Sequence, residues 1–455
     1  MNPQEKNKHF KKYLSPFSGL VFFFFLSTVW AETKPYSVPS PPDMLEQRVE
    51  LVEPQGLLSQ AEALSLALLH NPTLQDFAWE IRISDVKTLR AGLLPNPELG
   101  LEGENFLGSG QRRDFDQTET TLSISQLFEL GGKRAKREAL ATSERDLTLW
   151  DYETRRFDII YQVANRYLQV LANQERLKLA IESTAVAEEI YKTVVARVKA
   201  GKVSPLEQSK SRVELAKARL NKARVVRELS SNKQNLAAVW GSIQPLFEQV
   251  NGDLYARQAV PEFSDLLSRL NNNPDLARWS VEIERYQRAI TLAKARKTPN
   301  ITFMAGGRHF SDNDDFAAVA GISAPLFIFD NKQTGVDEAQ MVLAQARQKQ
   351  QAAKVAIQSS LIENYQQLEM SLTEITAFRN EVLPSAKAAF KAAKVAYRLG
   401  EIGSLDLLDA QRTLFQSNSD KLEAWVNFQL NIAKIERLIG GALNPLSKKI
   451  SETIQ

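Results

Sequence analysis

Cysteine is absent from this chain of 455 residues, and its absence excludes several kinds of structure. No disulfide can form, no thiolate can bind a metal, and no acylated cysteine can anchor the chain to a membrane. A chain of this length needs none of these, because it is long enough to bury a sizeable hydrophobic core. Packing alone must therefore hold the fold together.

Histidine is almost as scarce, with three residues in the whole chain. His9 lies in the N-terminal leader, His70 precedes an Asn-Pro break in a helix, and His309 lies at a strand end. Isolated imidazoles do not make a metal site, which needs several converging ligands. We interpret His70 and His309 as structural and expect neither a metal site nor a cofactor. No nucleophile and base stand out as a pair, so we expect no enzymatic activity.

Long apolar runs are also missing, apart from a short one near the N-terminus. The run from Leu20 to Leu26 follows four lysines and precedes Val29-Trp30-Ala31, which is typical of a cleaved export signal. It is far shorter than the roughly 20 residues of a membrane-spanning helix. We therefore predict a signal peptide over residues 1–31. Residues 32–58, with several prolines, are predicted to form an extended arm that lies on the surface or is disordered.

Excess charge of one sign is missing as well. The chain has 57 basic and 54 acidic residues, and loss of the leader leaves a net charge near zero. Nucleic acids are bound by clustered positive charge. We therefore expect no nucleic-acid partner.

The sequence does contain a duplication with an offset of 199 residues. Gly201-Lys-Val-Ser-Pro-Leu206 is followed, 199 residues later, by Gly400-Glu-Ile-Gly-Ser-Leu405. Similar offsets relate three further pairs: Lys133 and Lys332, Asn71-Pro72 and Asn273-Pro274, and Pro95-Asn96 and Pro299-Asn300. A repeat of this length indicates a doubled structural unit. We place the units at 59–241 and 261–441, with a linker at 242–260 and a tail at 442–455.

Each unit contains two segments with the alternation of a β-strand. We predict strands at about 98–106 and 118–128 in the first unit, and at about 300–309 and 316–327 in the second. The fourth segment is small and apolar on both faces, unlike the others. The lengths fit strands that cross a bilayer at a tilt.

A very long helix and a returning helix follow the strands of each unit. Residues from about 133 to 198 are predicted to form one helix of about 100 Å. The corresponding helix of the second unit has a near-heptad seam at Ile357, Leu361, Tyr365, Leu368, Leu372, Ile375, Phe378 and Val382. The long helices end near Gly201 and Gly400, and Ser204-Pro205 signals the next helix start. Each unit therefore contains an antiparallel helical hairpin.

Four strands cannot close a barrel, and a free sheet edge is not tolerated in hydrocarbon. We therefore expect the chain to oligomerise, and three copies would supply about twelve strands. The predicted fold class is mainly α with a small β part. Two tandem helix-strand-strand-helix-helix units form, as a trimer, a 12-stranded β-barrel that a long α-helical coiled-coil tunnel continues.

These features resemble the TolC-like outer-membrane efflux proteins over essentially the whole mature length. The resemblance is carried by Tyr397-Arg-Leu-Gly400, by Leu405-Asp-Leu-Leu-Asp-Ala-Gln411 and by the duplicated turn at Gly201. Two further segments are similar to the CzcC-like branch that serves heavy-metal RND pumps: Pro95-Asn-Pro-Glu98 and Phe128-Glu-Leu-Gly-Gly-Lys-Arg134. The resemblance implies a homotrimeric exit duct in outer-membrane lipid that extends into the periplasm. Its implied partners are a periplasmic adaptor and an inner-membrane RND pump, and its implied cargo is heavy-metal cations.

The resemblance also implies a role for three residues near the second hairpin turn. In the family, acidic residues at the positions of Asp406 and Asp409 ring the periplasmic aperture, and Tyr397 matches an aromatic residue of the closed opening. The alternative is that Asp406 only complements the N-terminal dipole of its helix. The family archetype has a basic residue two positions after the glycine, where this chain has Ile402. The network that closes the aperture is therefore expected to be weaker or built otherwise.

The hairpin tips are the predicted docking ends for the adaptor, because they are exposed turns flanked by coiled-coil seams. The predicted docking residues are Gly201, Ser204, Leu206, Gly400, Ser404 and Leu405. Two alternatives use the same architecture, namely the outlet of a type I secretion system and a drug efflux duct. A third alternative, a soluble periplasmic coiled-coil adaptor, does not need the four membrane-length strands.

Overall fold

The computed structural model describes residues 50–443 of the chain. The predicted signal peptide at 1–31, most of the predicted arm at 32–58 and most of the predicted tail at 442–455 lie outside the described residues. Between residues 50 and 443, the structure contains no helix that is both long enough and apolar enough to cross a membrane.

Helices make up most of the described chain, and its two halves repeat one order of elements. The first half contains β1 (Gly56–Leu58), α1 (Gln60–His70), α2 (Pro72–Ala91), β2 (Glu98–Glu104), β3 (Glu119–Phe128), α3 (Lys133–Lys199) and α4 (Pro205–Ala237). The second half contains β4 (Phe247–Val250), α5 (Phe263–Arg269), α6 (Pro274–Arg296), β5 (Ile301–Phe310), β6 (Asp315–Ser323), α7 (Gln333–Ala377), α8 (Leu383–Leu399) and α9 (Ser404–Ile439). The prediction of a mainly helical chain with two helix-strand-strand-helix-helix units is confirmed.

Serine caps fix the helix starts that the sequence indicates. The Ser59 hydroxyl accepts a hydrogen bond from the Glu62 N–H at 3.2 Å, and the Glu62 carboxylate accepts one from the Ser59 N–H at 2.9 Å. The Ser204 hydroxyl likewise accepts from the Leu206 N–H at 3.2 Å. These bonds satisfy N–H groups that have no partner within the helix, so α1 and α4 begin where predicted.

Two buried asparagines fix the same joint in both units. Asn71 and Asn273 cap α2 and α6, and each side-chain oxygen accepts from the N–H three residues on, at 3.1 and 3.0 Å. Each side-chain nitrogen donates to a carbonyl near the end of the returning hairpin helix, Asn71 to Val239 at 2.6 Å and Asn273 to Leu438 at 2.7 Å. One side chain thus ties a helix start to a helix end, which explains the repeated Asn-Pro sequence.

The long helix is continuous in the first unit and interrupted in the second. α3 runs through 67 residues, whereas α7 passes into a π-helical turn at Phe378–Val382 before α8 begins. Pro384 follows this turn and has no N–H for the i→i−4 bond of a continuous helix. A π turn accommodates one extra residue at such a point.

The π turn moves the apolar seam by one position. Leu361, Leu368 and Ile375 are buried at heptad spacing before the turn, as predicted. After the turn, Leu383 and Tyr397 are buried, and Val382 is 39% exposed. The prediction that Val382 belongs to the seam is therefore wrong, because the heptad count does not include the extra residue of the π turn.

One antiparallel sheet contains the four predicted strands in the order β2-β3-β5-β6. β3 pairs with β5, for example Leu122 with Gly307, so the sheet joins the two units. β2 and β6 lie at its edges. β6 ends at Ser323 and not near 327 as predicted, in keeping with an edge strand beside Pro325, which has no N–H to donate to a ladder.

A second, two-stranded parallel sheet was not predicted. β1 lies in the predicted surface arm and β4 in the predicted linker, and the two strands pair with each other. Leu58 and Phe247 are buried in the main hydrophobic core. The Tyr167 hydroxyl donates to the Leu58 carbonyl at 2.9 Å, and burial raises the pKa of this phenol to about 12. The described end of the arm is therefore part of the core and not of the surface.

Replacement of Asn273 by alanine is expected to lower the free energy of unfolding by about 1–3 kcal/mol, because it leaves the partly buried Leu438 carbonyl without its donor. Urea or thermal unfolding of the detergent-extracted protein measures this change. Asn271→Ala, at an exposed position two residues away, is the matched control and should leave the stability unchanged. Equal effects of the two substitutions would contradict the role of the Asn273 carboxamide.

Candidate functional site

One face of the four-stranded sheet is apolar and exposed. Cross-strand pairing places Leu99 beside Ile124 and Leu101 beside Leu122 on this face. Phe303 lies beside Ile322 on the same face. These six side chains are between 46% and 77% exposed. A sheet in water normally buries such a face against a second layer, so the exposure indicates contact with an apolar surrounding.

The opposite face of β2 and β3 is polar. Glu98, Glu102 and Glu104 of β2 lie beside Ser125, Thr121 and Glu119 of β3 in the pairing register. β6 departs from this pattern with Ala317 and Val319 on the polar side, as its sequence predicts. An apolar outer face and a polar inner face on one sheet are the arrangement of a barrel wall around a wet lumen.

Arg308 of β5 ties three strands together on the polar face. Its guanidinium donates to Glu119 at 2.6 Å and to the Thr121 hydroxyl at 2.8 Å, and it lies 2.9 Å from Glu104. Two of the carboxylates on this face thereby share one cation. Sequence reasoning missed Arg308, because its contacts depend on the pairing of strands from different units.

The two histidines of the described residues do not form a site. His309 Nε2 lies 2.8 Å from Asp314 Oδ1 at the outer end of β5, and His70 lies in the last turn of α1. Within residues 50–443, no group of three or more histidine, aspartate or glutamate side chains is arranged to hold a metal ion.

The two hairpin tips at the ends of α3 and α8 have the same backbone geometry. Gly201 and Gly400 have φ of 67° and 84°, in the left-handed region that favours glycine. The N–H of Lys202 donates to the Arg197 carbonyl, and the N–H of Glu401 donates to the Ala396 carbonyl, both at 2.9 Å. Both tips are therefore Schellman turns. The sequence duplication thus extends to individual hydrogen bonds.

Tyr397, predicted at the aperture, is buried between the two tips. It is 1% exposed and belongs to a small apolar cluster with Ile190, Val194, Leu407 and Leu408. Within the described residues its hydroxyl has no hydrogen-bond partner, and burial raises the pKa of this phenol. Tyr397 therefore holds the tips together in the single chain.

Arg197 of the first hairpin joins the two tips. Its guanidinium carbon lies 4.6 Å from the centre of the Tyr397 ring, and it donates to the Tyr397 carbonyl. Ile402, in contrast, packs against the apolar cluster. The contact of Arg197 with Tyr397, called the latch below, therefore comes from the first hairpin. The sequence repeat did not predict this contact, because the residue of the second unit that corresponds to Arg197 is Ala396.

A second ionic contact reinforces this latch. The Lys394 ammonium lies 2.8 Å from Glu189, and Arg398 lies 3.8 Å from the same carboxylate. These side chains are partly exposed, so the contact contributes little to stability by itself. Together with Arg197, it fixes how α8 lies against α3.

Asp406 and Asp409 lie on one wall of a shallow groove between α4 and α9. The Asp406 carboxylate accepts a hydrogen bond from the Gly403 N–H at 3.2 Å, which is the helix-start contact that the sequence left as an alternative. The Asp409 side chain is 74% exposed and lies 3.9 Å from Arg412. Arg412 also lies 3.6 Å from Glu214 across the groove.

The predicted docking residues differ in exposure. Leu206 and Leu405 are 60% and 55% exposed, and Gly201, Ser204 and Gly400 are exposed as well. Ser404, in contrast, is fully buried, because α9 begins one residue earlier than a serine cap would place it and Gly403 takes the capping position. The exposed surface of the tips therefore consists of the two turns and two leucines.

The chain is similar to known proteins over most of its length. The family described as outer membrane efflux protein matches residues 63–242 and 267–441. The cobalt-zinc-cadmium resistance protein CzcC of Cupriavidus metallidurans is 32% identical over 388 residues, which cover 85% of this chain and 91% of that protein. The pyoverdine export outer membrane protein OpmQ of Pseudomonas putida is 25% identical, covering 84% and 85%.

A solved structure supports the same assignment at the level of the fold. The structure of CusC superposes with a TM-score of 0.71 at 18% identity, covering 88% of this chain and 98% of CusC. The resemblance predicted from sequence, including that to the CzcC-like branch, is confirmed, as is the expectation that the chain is not an enzyme. The chain belongs to the outer membrane efflux protein family.

Proposed function

We propose that this chain is the passive exit duct of a tripartite efflux system, assembled as a homotrimer in the outer membrane. The observation that carries the proposal is the four-stranded sheet with an exposed apolar face, placed on a chain that also has two long helical hairpins. The sheet supplies a wall in lipid and the hairpins supply a tunnel in the periplasm. Energy for transport then comes from a partner pump.

The edges of the sheet support the trimer. β2 and β6 each pair on one side only, and unpaired backbone groups are not tolerated in hydrocarbon. Pairing of β6 with β2 of the next copy satisfies both edges. Three copies then close a barrel of about twelve strands.

We propose that the tips dock a periplasmic adaptor, through which an RND-type pump of the inner membrane is engaged. Leu206 and Leu405 are exposed leucines next to Schellman turns. An apolar side chain on an exposed turn is suited to a groove on a partner helix. Ser404 takes no part in this contact, because it is buried.

The proposed cargo is heavy-metal cations. Asp406 and Asp409 would place six carboxylates around the periplasmic aperture of a trimer, and rings of carboxylates favour cations. The relative CzcC is a cobalt-zinc-cadmium resistance protein, which supports the same cargo. The relative OpmQ is a pyoverdine export protein, so export of a small organic molecule is the second candidate.

Fractionation of the mature protein tests the proposed location and assembly. We expect it in the outer membrane and, after detergent extraction, at the native mass of a trimer. Release by osmotic shock as a water-soluble species would contradict the membrane wall and favour a soluble adaptor.

The double substitution Asp406→Asn and Asp409→Asn is expected to lower cation selectivity and block by polyvalent cations, because it removes six negative charges from the aperture of a trimer. Reversal potentials in a planar bilayer measure the change. The control is Glu228→Gln with Asp420→Asn, which removes two exposed carboxylates, one from α4 and one from α9, away from the tips. If the control alters selectivity as much as the test variant, the aperture assignment is wrong.

The substitution Arg197→Met is expected to raise the conductance or the open probability of the channel, because it removes the cation that joins the tips. Single-channel recording measures both quantities. The matched control is Arg224→Met on α4, whose partners Asn221 and Glu228 lie on its own helix. An unchanged conductance and open probability in Arg197→Met would contradict the latch.

A further inference from the structure

A buried lysine joins the two units where the sheet meets the helices. Lys133, the first residue of α3, is 8% exposed. Its ammonium donates to the Thr298 carbonyl at 2.5 Å and to the Asn300 side-chain oxygen. Burial lowers the pKa of this amine, so the two acceptors are needed to hold the charged form. The long helix of the first unit is thus tied to the segment that leads from α6 into β5 of the second.

The duplicated sequence predicts the same contact once more. The counterpart of Lys133 is Lys332, and the counterpart of Thr298-Pro299-Asn300 is Leu94-Pro95-Asn96. In the single chain this second pair is not joined: the Lys332 ammonium contacts Asp330, and Leu94 and Asn96 are exposed. Each chain therefore has one complete joint, together with the two halves of another.

The helices beside this joint differ in the same way: one contact is made within the chain, and its counterpart is not. α6 of the second unit packs on α3 of the first, with Arg285 lying 3.9 Å from Glu144 and Arg288 donating to the Ala139 carbonyl at 3.2 Å. Counted from the capping asparagines, the counterparts of Arg285 and Arg288 in α2 are Ile83 and Val86. Ile83 and Val86 are 51% and 54% exposed. The face of α2 that corresponds to a packed face of α6 is therefore uncovered.

The residue of α7 that corresponds to Glu144 of α3 is also apolar. The counterpart of Glu144 in α7 is Leu343. Where the joint within the chain has an arginine and a glutamate, the second joint would have Ile83 and Leu343. An apolar pair at this position suits a contact that is buried only on assembly, because it leaves no unpaired charge behind.

We propose that a second copy of this chain completes the joint: Lys332 of one copy donates to the Leu94 carbonyl and the Asn96 side chain of the next, and α7 of the first packs on the Ile83–Val86 face of α2 of the second. This inference deepens the proposed trimer by naming a contact that sets its register. The Lys332–Asp330 pair does not oppose it, because an exposed ion pair is weak and is easily redirected.

Chemical cross-linking between two variants of the full-length chain tests the contact. The chain has no cysteine of its own, so single cysteines can be placed without background. One variant carries Asn96→Cys and the other Lys332→Cys, and both are expressed together and treated in membranes with a short bismaleimide. We expect a covalent species that contains one chain of each variant.

Two controls define the reach of the reagent. Lys133→Cys with Asn300→Cys in one chain tests the joint that the structure contains, and should give linked peptides within a single chain. Asn96→Cys with Lys354→Cys, which lies about 33 Å further along α7 at 1.5 Å per residue, should give no link between chains.

The outcomes separate this inference from the proposed function. A link between Asn96→Cys and Lys332→Cys chains, absent with Lys354→Cys, supports the joint. A native trimer without this link, while the control within one chain is linked, overturns the joint and leaves the exit duct intact. A monomeric native mass would overturn the trimer itself.

Discussion

Backbone hydrogen bonding along the two outer sides of the sheet constrains the rest of this chain. β2 and β6 have partners on one side only, while β3 and β5 are paired on both. In water the free N–H and C=O groups would be hydrated, but the exposed leucine, isoleucine and phenylalanine face of this sheet is suited to hydrocarbon, where each unpaired group costs several kcal/mol. A chain with this sheet is therefore complete only when its two edges meet those of other copies. The β3–β5 pairing already shows how one unit joins the next.

The two units share the contacts that hold each unit together and differ in the contacts that join one unit to the next. Asn71 and Asn273 make the same pair of hydrogen bonds, because each unit must end its hairpin against the start of its own second helix. The contacts between units have diverged. Arg285 and Glu144 meet during the folding of one chain, whereas Ile83 and Leu343 stand where separate chains would meet. The first kind of joint forms during folding and the second would form only on assembly, where an apolar pair leaves no unpaired charge behind.

Local interactions were predictable from the sequence, and contacts between distant segments were not. The Ser59 cap, the turns at Gly201 and Gly400 and the extent of α3 all follow from residues a few positions apart. The contacts of Arg308 and Arg197 were not predicted, because their partners lie in the other unit. These residues become neighbours only through the strand order and the packing of the hairpins. The burial of Ser404 was missed for a smaller reason. A glycine before it can take the capping position, and the serine then becomes the first helical residue.

The π turn at Phe378–Val382, which precedes Pro384, determines which residues of α8 are buried near the candidate aperture. Before the turn, the seam of α7 falls at Leu361, Leu368 and Ile375, and a strict heptad count would continue through Val382 to Ala396. The extra residue shifts the count by one, so that the seam passes through Leu383 and reaches Tyr397. Burial of Tyr397 under Arg197 therefore depends on a backbone irregularity about fifteen residues away. The first unit has alanine at position 185, the counterpart of Pro384, and its helix is continuous. At the tips, the counterpart of Tyr397 is Val198, which packs against the same apolar cluster. Both hairpins therefore present the same helix position to the cluster, and the aromatic ring is specific to the second hairpin.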